Sequence, residues 1–147
     1  MRFVLTFALL SAGPAPALDL VQTGSYALNR PASLEYDPTF CGLWIANESR
    51  EVILVTLQGD ELRRFASDLG RIKAIALDGD NLIVADGGGS FQRITKTGAP
   101  LGAPFRVEDG WADTEGIVVL GDGTLVPVEA DPERLTWFTP DGQIVRR

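Results

Sequence analysis

The sequence repeats with a period of about 40 residues, and this repeat restricts the fold more than any other feature. Each copy has a leucine at the start of its second apolar segment and a glycine in its last turn, spaced by 39 to 44 residues. The leucines are Leu43, Leu82 and Leu125, and the glycines are Gly59, Gly98 and Gly142. Each copy contains four short apolar segments separated by turns rich in glycine and aspartate. Four short strands in about 40 residues are typical of a β-propeller blade.

We therefore predict an all-β chain with three four-stranded propeller blades, at residues 32–66, 72–106 and 113–147. The last strand of the second blade is expected around Pro100 and Leu101, and a separate short strand at residues 24–28. A β-sandwich of about a dozen strands is the alternative fold. Propellers typically close with about 4–8 blades, so three blades would leave apolar faces in water. We expect either part of a longer propeller or a half ring that a homodimer completes to six blades.

The first 17 residues have the pattern of a signal peptide. Arg2 precedes an apolar run at residues 3–12, and Ala15-Pro16-Ala17 has the small-x-small form of a cleavage site. The run is shorter than the about 20 residues that span a bilayer. An N-terminal core helix is the alternative. Cleavage after Ala17 would leave a mature propeller at residues 18–147, located in the periplasm or secreted.

Charge and composition limit the chemistry that this chain can perform. The net charge is −7, or −8 without Arg2, so nucleic acid and anionic membrane surfaces are not expected partners. The sequence contains no histidine, which excludes Ser-His-Asp and Cys-His catalysis. The lone Cys41 has no partner for an internal disulfide. Any chemistry would use carboxylates, Lys, Arg or a metal ion bound by oxygen.

Three carboxylates flank a predicted hairpin with a Gly121-Asp122-Gly123 turn in the third copy. Asp113 and Glu115 come at the start of its first strand and Glu129 at the end of its second. Antiparallel pairing should bring these side chains together, because the second strand returns beside the first. Carboxylate oxygens suit Ca²⁺, so the three residues are predicted metal ligands. The alternative is that they cap strands or pair with arginines such as Arg50 or Arg134.

The repeat also predicts a ligand site at the mouth of the propeller channel. Loops that enter the first strand and leave the second strand of each blade share one face, where ligands bind. The predicted ligand-binding residues on this mostly acidic mouth are Asn47, Lys73, Asp86 and Trp111. Alternatively, Asn47 and Asp86 form turns with their own backbone, and Lys73 is a solvated charge or pairs with Glu115. No helix follows the glycines at residues 87–89, so they are interpreted as a blade loop and not a phosphate loop.

The third copy resembles a blade of two related families, the esterase-like phytase domain and the SdiA-regulated family. The resemblance rests on Asp113-Thr114-Glu115-Gly116-Ile117, Val126-Pro127-Val128-Glu129 and Arg134-Leu135-Thr136-Trp137-Phe138. Residues 34–38 and 43–48 are similar to an early blade of the same families. Both families are propellers, distantly similar to NHL-repeat and gluconolactonase-type rings. The resemblance implies an exported propeller with Ca²⁺ bound by carboxylates at the channel mouth, and hydrolysis of phosphate or other esters.

Two functions remain open at this point. The first is a binding propeller that holds a small molecule or a protein at its channel mouth. The second is a calcium-assisted hydrolase of phosphate esters or lactones, in which the metal ion would polarise the substrate and activate water. Whether the protein is an enzyme is left open, and no catalytic residue is assigned.

Overall fold

The computed structural model describes residue 22 and residues 24–107, 112–131 and 133–147. The predicted signal peptide and Trp111 lie outside the described residues. The described chain forms three separate antiparallel sheets that follow one another in sequence. Their first strands lie side by side, so the sheets are arranged as blades and not as the two layers of a sandwich. This confirms the all-β prediction of three propeller blades. None of the described residues forms a helix long and apolar enough to span a bilayer.

The blades have the following strands. Blade 1 contains β1 (Pro31–Asp37), β2 (Gly42–Asn47), β3 (Glu51–Thr56) and β4 (Glu61–Ala66). Blade 2 contains β5 (Ile72–Asp78), β6 (Asn81–Asp86), β7 (Ser90–Thr95) and β8 (Phe105–Arg106). Blade 3 contains β9 (Ala112–Val119), β10 (Leu125–Asp131), β11 (Glu133–Leu135), β12 (Trp137–Phe138) and β13 (Ile144–Arg146). In blade 3, β11 and β12 both pair with β10 and together take the place of the third strand.

Two of the predicted strands are wrong. Residues 24–28 form no strand, although Tyr26 donates a hydrogen bond to Glu61 at 3.1 Å. The last strand of blade 2 is Phe105–Arg106, whereas Pro100 makes only an isolated bridge to Ile94. Both segments contain apolar residues typical of a strand. The local sequence does not show, however, whether a neighbouring strand is available to pair with the segment.

The blades pack on one another through alternating faces of their strands. We call the face that points towards the preceding blade in the chain the backward face, and the opposite one the forward face. On β2, Trp44 and Ala46 lie on the forward face and pack against Ile75 and Val84 of blade 2. On the forward face of blade 2, Phe91 and its neighbours pack against blade 3 in the same way. The same kind of contact therefore joins blade 1 to blade 2 and blade 2 to blade 3.

A buried carboxylate links blades 1 and 2 at the end of β1. Asp37 is fully buried and accepts hydrogen bonds from the Trp44 Nε1 at 2.9 Å, the Lys96 Nζ at 2.8 Å and the Thr39 N at 2.9 Å. Burial alone would raise the pKa of Asp37, but the hydrogen bonds from Lys96, Trp44 and Thr39 outweigh it and lower the pKa to about 2. Folding therefore favours the ionised form of the Asp37 carboxyl group.

This carboxylate should make stability depend on pH in acid. The pKa of Asp37 is about 2 when folded and 3.8 in the reference state, so its contribution is complete above pH 3.8 and lost as the pH falls through about 2. The contribution is about 2 kcal/mol. We expect the difference in unfolding free energy between the wild type and Asp37→Asn to shrink by this amount from pH 5 to pH 2, measured by urea titration. A constant difference would contradict the ionised state assigned to Asp37.

Candidate functional site

The first strand of each blade carries a β-bulge at the same place, opposite the end of the second strand. The unpaired residues at these bulges are Ala32 in blade 1, Lys73 in blade 2 and Glu115 in blade 3. A bulge re-aims the side chain of the extra residue away from its regular direction. The repeat in the sequence already aligns these three residues. We call the end of the blades at which the bulges lie the mouth.

At the mouth, Lys73 is surrounded by carboxylates from the two neighbouring blades. Its Nζ lies 3.0 Å from the Glu115 Oε1, 3.8 Å from the Asp113 Oδ1 and 3.9 Å from the Glu48 Oε1. The hydrogen bond to Glu115 raises the pKa of Lys73, and the charges of Glu115, Asp113 and Glu48 add to this against the opposing effect of burial. The ammonium group therefore stays protonated and joins side chains of all three blades. The ion pair with Glu115 is one of the two alternatives that the sequence left open for Lys73.

Two arginines accompany Lys73. Glu48 accepts a hydrogen bond from the Arg71 Nη2 at 2.9 Å and also pairs with Arg30. The hydrogen bond from Arg71 lowers the pKa of Glu48, and the charges of both arginines contribute. The mouth therefore carries cationic and anionic groups together, whereas the sequence predicted a mostly acidic one. Sequence reasoning missed Arg30 and Arg71, although each stands directly before the first strand of its copy, so the repeat contained a signal for them.

An open cleft of about 380 Å³ lies beside Lys73 at the mouth. Its lining includes Arg71, Lys73, Asp86, Gly87, Gly88 and Asp113. The backbone N of Asp113 donates to the Gly87 carbonyl at 2.6 Å, which joins blade 3 to the loop after β6. A Cβ atom at Gly87 would lie 3.4 Å from the Lys73 side chain, so a larger residue here would narrow the cleft. The cleft thus exposes charges of both signs beside a glycine loop.

The predicted ligand-binding residues do not all lie in one cleft. Lys73 and Asp86 line the same cleft, but Asn47 does not. The Asp86 Oδ1 accepts hydrogen bonds from the backbone N of Gly88 and of Ser90, both at 2.8 Å, so Asp86 shapes its own turn. Asn47 is buried and donates from Nδ2 to Glu51 at 3.1 Å. Trp111 stays a prediction, because it lies outside the described residues.

The three predicted metal ligands lie in two different environments. Asp113 and Glu115 contact Lys73, whereas Glu129 is only 2% exposed and pairs with Arg134. The ion pair with Arg134 is the alternative that the sequence left open. Within the described ranges, no group of three or more His, Cys, Asp or Glu side chains is arranged to hold a metal ion. Calcium binding therefore stays a prediction.

Glu129 also belongs to a row of buried polar groups. It lies opposite Thr114 on one side and opposite Arg134 on the other, across the sheet of blade 3. Among the described residues, neither the buried Glu129 Oε1 nor the buried Thr114 Oγ1 has a hydrogen-bond partner. A buried acceptor without a partner costs free energy, so Arg134 is the main compensation for the charge of Glu129.

No protein-family model and no curated protein matches the sequence. Solved structures do match. Selenomethionine-substituted virginiamycin B lyase from Staphylococcus aureus is 18% identical with a TM-score of 0.67, over 83% of this chain and 43% of the lyase. A protein of unknown function from Bacteroides caccae is 16% identical with a TM-score of 0.60, over 79% of this chain and 44% of that protein. BamB from Moraxella catarrhalis is 19% identical with a TM-score of 0.56, over 80% of this chain and 36% of BamB.

These similarities show the β-propeller fold and do not identify a family. The chain spans less than half the length of each of these three structures. At such low identity the site of a similar protein cannot be transferred, because one fold supports many functions.

Proposed function

We propose that this chain is an exported β-propeller that binds a small molecule in the cleft beside Lys73. The observation that carries the proposal is the convergence on Lys73 of carboxylates from both neighbouring blades, at distances of 3.0 to 3.9 Å, on the border of an open cleft. Residues on neighbouring blades can hold a ligand more precisely than a single loop can, because the sheets fix their positions.

The lining of the cleft favours a ligand with both an anionic and a cationic group. Arg71 and Lys73 offer donors for a carboxylate, and Asp113 offers an acceptor for an ammonium group. The Asp113 side chain is about half exposed, so a ligand can reach it. Amino acids and short peptides are the simplest molecules with this pair of charges. Export rests on residues 1–17, and the relation to the esterase-like phytase or SdiA-regulated families rests on the motif at residues 113–129.

Replacement of Lys73 by methionine should weaken binding by about tenfold or more, because a charge-assisted hydrogen bond contributes about 1.5–3 kcal/mol. The measurement is calorimetric titration of the wild type and Lys73→Met with a panel of amino acids and dipeptides. Arg64→Met is the control, because Arg64 lies on the outer strand β4 and pairs with Glu51 and Glu61, away from the cleft. It should leave the affinity unchanged. Absence of binding by the whole panel, or equal loss in both variants, would refute the proposal.

Two further measurements separate this proposal from the calcium-assisted hydrolase. Melting temperatures are recorded with calcium chloride and, separately, with inorganic phosphate. Ester hydrolysis is measured with p-nitrophenyl phosphate. A rise in melting temperature with calcium that disappears in Glu115→Gln, together with hydrolysis that disappears in the same variant, would replace the binding proposal by the hydrolase. Binding of a zwitterion without either effect supports the ligand-binding propeller.

A further inference from the structure

The backward face of blade 1 is apolar; its first strand is open to solvent, whereas Leu28 packs over Ile45, Ile53 and Val55 of the same face. Leu34 and Tyr36 of β1 lie on this face opposite Ile45 and Leu43 of β2, and both are exposed. The face borders a groove of about 910 Å³ between β1, β2 and the segment around Tyr26. Within the described residues, no blade packs against this face. Exposed apolar surface of this kind marks an interaction site in soluble proteins.

Blade 3 is the last of the three blades, and its forward face is also apolar and open. We call the three blades together the arc. Val118, Val128 and Leu135 lie on neighbouring strands of this face, and each is exposed. Val145 on the last strand is exposed as well. The chain thus has one unpaired forward face and one unpaired backward face in its described part.

Equivalent positions inside the arc show what these faces pack against. Leu34 is 64% exposed, whereas Ile75, at the same register position of blade 2, is 2% exposed because blade 1 covers it. Val118 is 50% exposed, whereas Ala76, its equivalent in blade 2, is 3% exposed because blade 3 covers it. The two open faces are therefore the two halves of an interface that the chain already forms twice.

We infer that a second copy of this chain docks head to tail on both faces and closes a six-bladed ring. The forward face of blade 3 in each copy would pack on the backward face of blade 1 in the other. Six blades fall within the about 4–8 of closed propellers. Two-fold symmetry about the ring axis covers both open faces at once.

Ring closure goes beyond the proposed function and would also complete the mouth. Between blades 1 and 2, Arg71, directly before β5, reaches back to Glu48, directly after β2, at 2.9 Å. Arg30 is the equivalent of Arg71 at the start of blade 1. In the ring, Arg30 of the second copy would lie next to the end of β10, where Asp131 is exposed. The charges at the two ends are therefore complementary.

The oligomeric state of the full chain tests this inference. Size-exclusion chromatography with light scattering should give about twice the chain mass of 15.8 kDa. Leu34→Asp and Val128→Asp should each give the monomer mass, because every head-to-tail interface needs both faces. Leu101→Asp is the matched control, since Leu101 is 46% exposed but belongs to the internal blade 2. It should leave the dimer intact. Circular dichroism verifies that each variant folds, and Tyr36→Asp and Val118→Asp replace any variant that does not.

The variants also distinguish head-to-tail closure from other assemblies. An equal mixture of Leu34→Asp and Val128→Asp should recover part of the dimer, because the mixed pair keeps one interface with native residues on both sides. A dimer that only one of the two variants dissociates would be a symmetric contact of like faces and would overturn the inference. So would open polymers, equal dissociation by Leu101→Asp, or a monomeric wild type across the micromolar range. A monomeric wild type would point to further blades as the occupants of these faces.

Discussion

Replacement of Trp44 by alanine is expected to lower the free energy of unfolding by about 4 kcal/mol. Trp44 is fully buried between blades 1 and 2, and its ring centroid lies 5.9 Å from that of Phe65 and 6.2 Å from that of Phe40. Alanine would leave a large cavity and remove the donor that Trp44 provides to the buried Asp37. Since domains are typically stable by about 5–15 kcal/mol, the variant loses a large share of its stability. Urea unfolding followed by circular dichroism measures the loss.

Trp44→Phe separates the cavity from the hydrogen bond. Phenylalanine keeps much of the ring volume but has no N–H for Asp37, so we expect a loss of about 1–2 kcal/mol. The difference between the two variants then reports packing between the blades. If alanine costs no more than phenylalanine, Trp44 does not hold blades 1 and 2 together in the way that its burial indicates.

The arrangement of the blades could be predicted from the sequence because its causes are local and repeated. Turns rich in glycine and aspartate recur at a fixed spacing, and the second strands β2, β6 and β10 begin within one residue of their predicted starts. The break in the third strand of blade 3 was not predicted. It occurs at Thr136, beside Pro127 at the centre of β10, and proline has no N–H to donate to a strand ladder.

The candidate site was predictable only in part, because bulges decide which side chains face each other. The repeat places Lys73 and Glu115 at equivalent positions, and the structure brings them within 3.0 Å. The same repeat groups Glu129 with Glu115. In the register of β9 and β10, however, Glu129 lies opposite Thr114, and its side chain is buried. Glu115 is the extra residue of the bulge, and one extra residue changes the side to which its neighbours point. Nothing in the local sequence marks the position of such a bulge.

Replacement of Arg134 by alanine is expected to lower the free energy of unfolding by about 3 kcal/mol, because it leaves the buried carboxylate of Glu129 without its counter-charge. Within the part of the chain that the structure describes, the Glu129 Oε1 has no hydrogen-bond partner, so this carboxylate has little other compensation there. Glu129→Gln removes the charge and should cost less than Arg134→Ala. Urea unfolding of both variants gives the comparison.

The double variant tests whether the two residues act as a pair. Glu129→Gln with Arg134→Ala should be more stable than Arg134→Ala alone, since no uncompensated charge remains in it. Costs that simply add would show that Arg134 stabilises the blade by other contacts. The predicted role of Glu129 as a calcium ligand gives a different pattern: Glu129→Gln would then lower the melting temperature only with calcium present, and a chelator would lower that of the wild type. Equal melting curves with and without calcium, together with recovery in the double variant, would assign Glu129 to the stability of blade 3, because its charge would then be balanced by Arg134 alone.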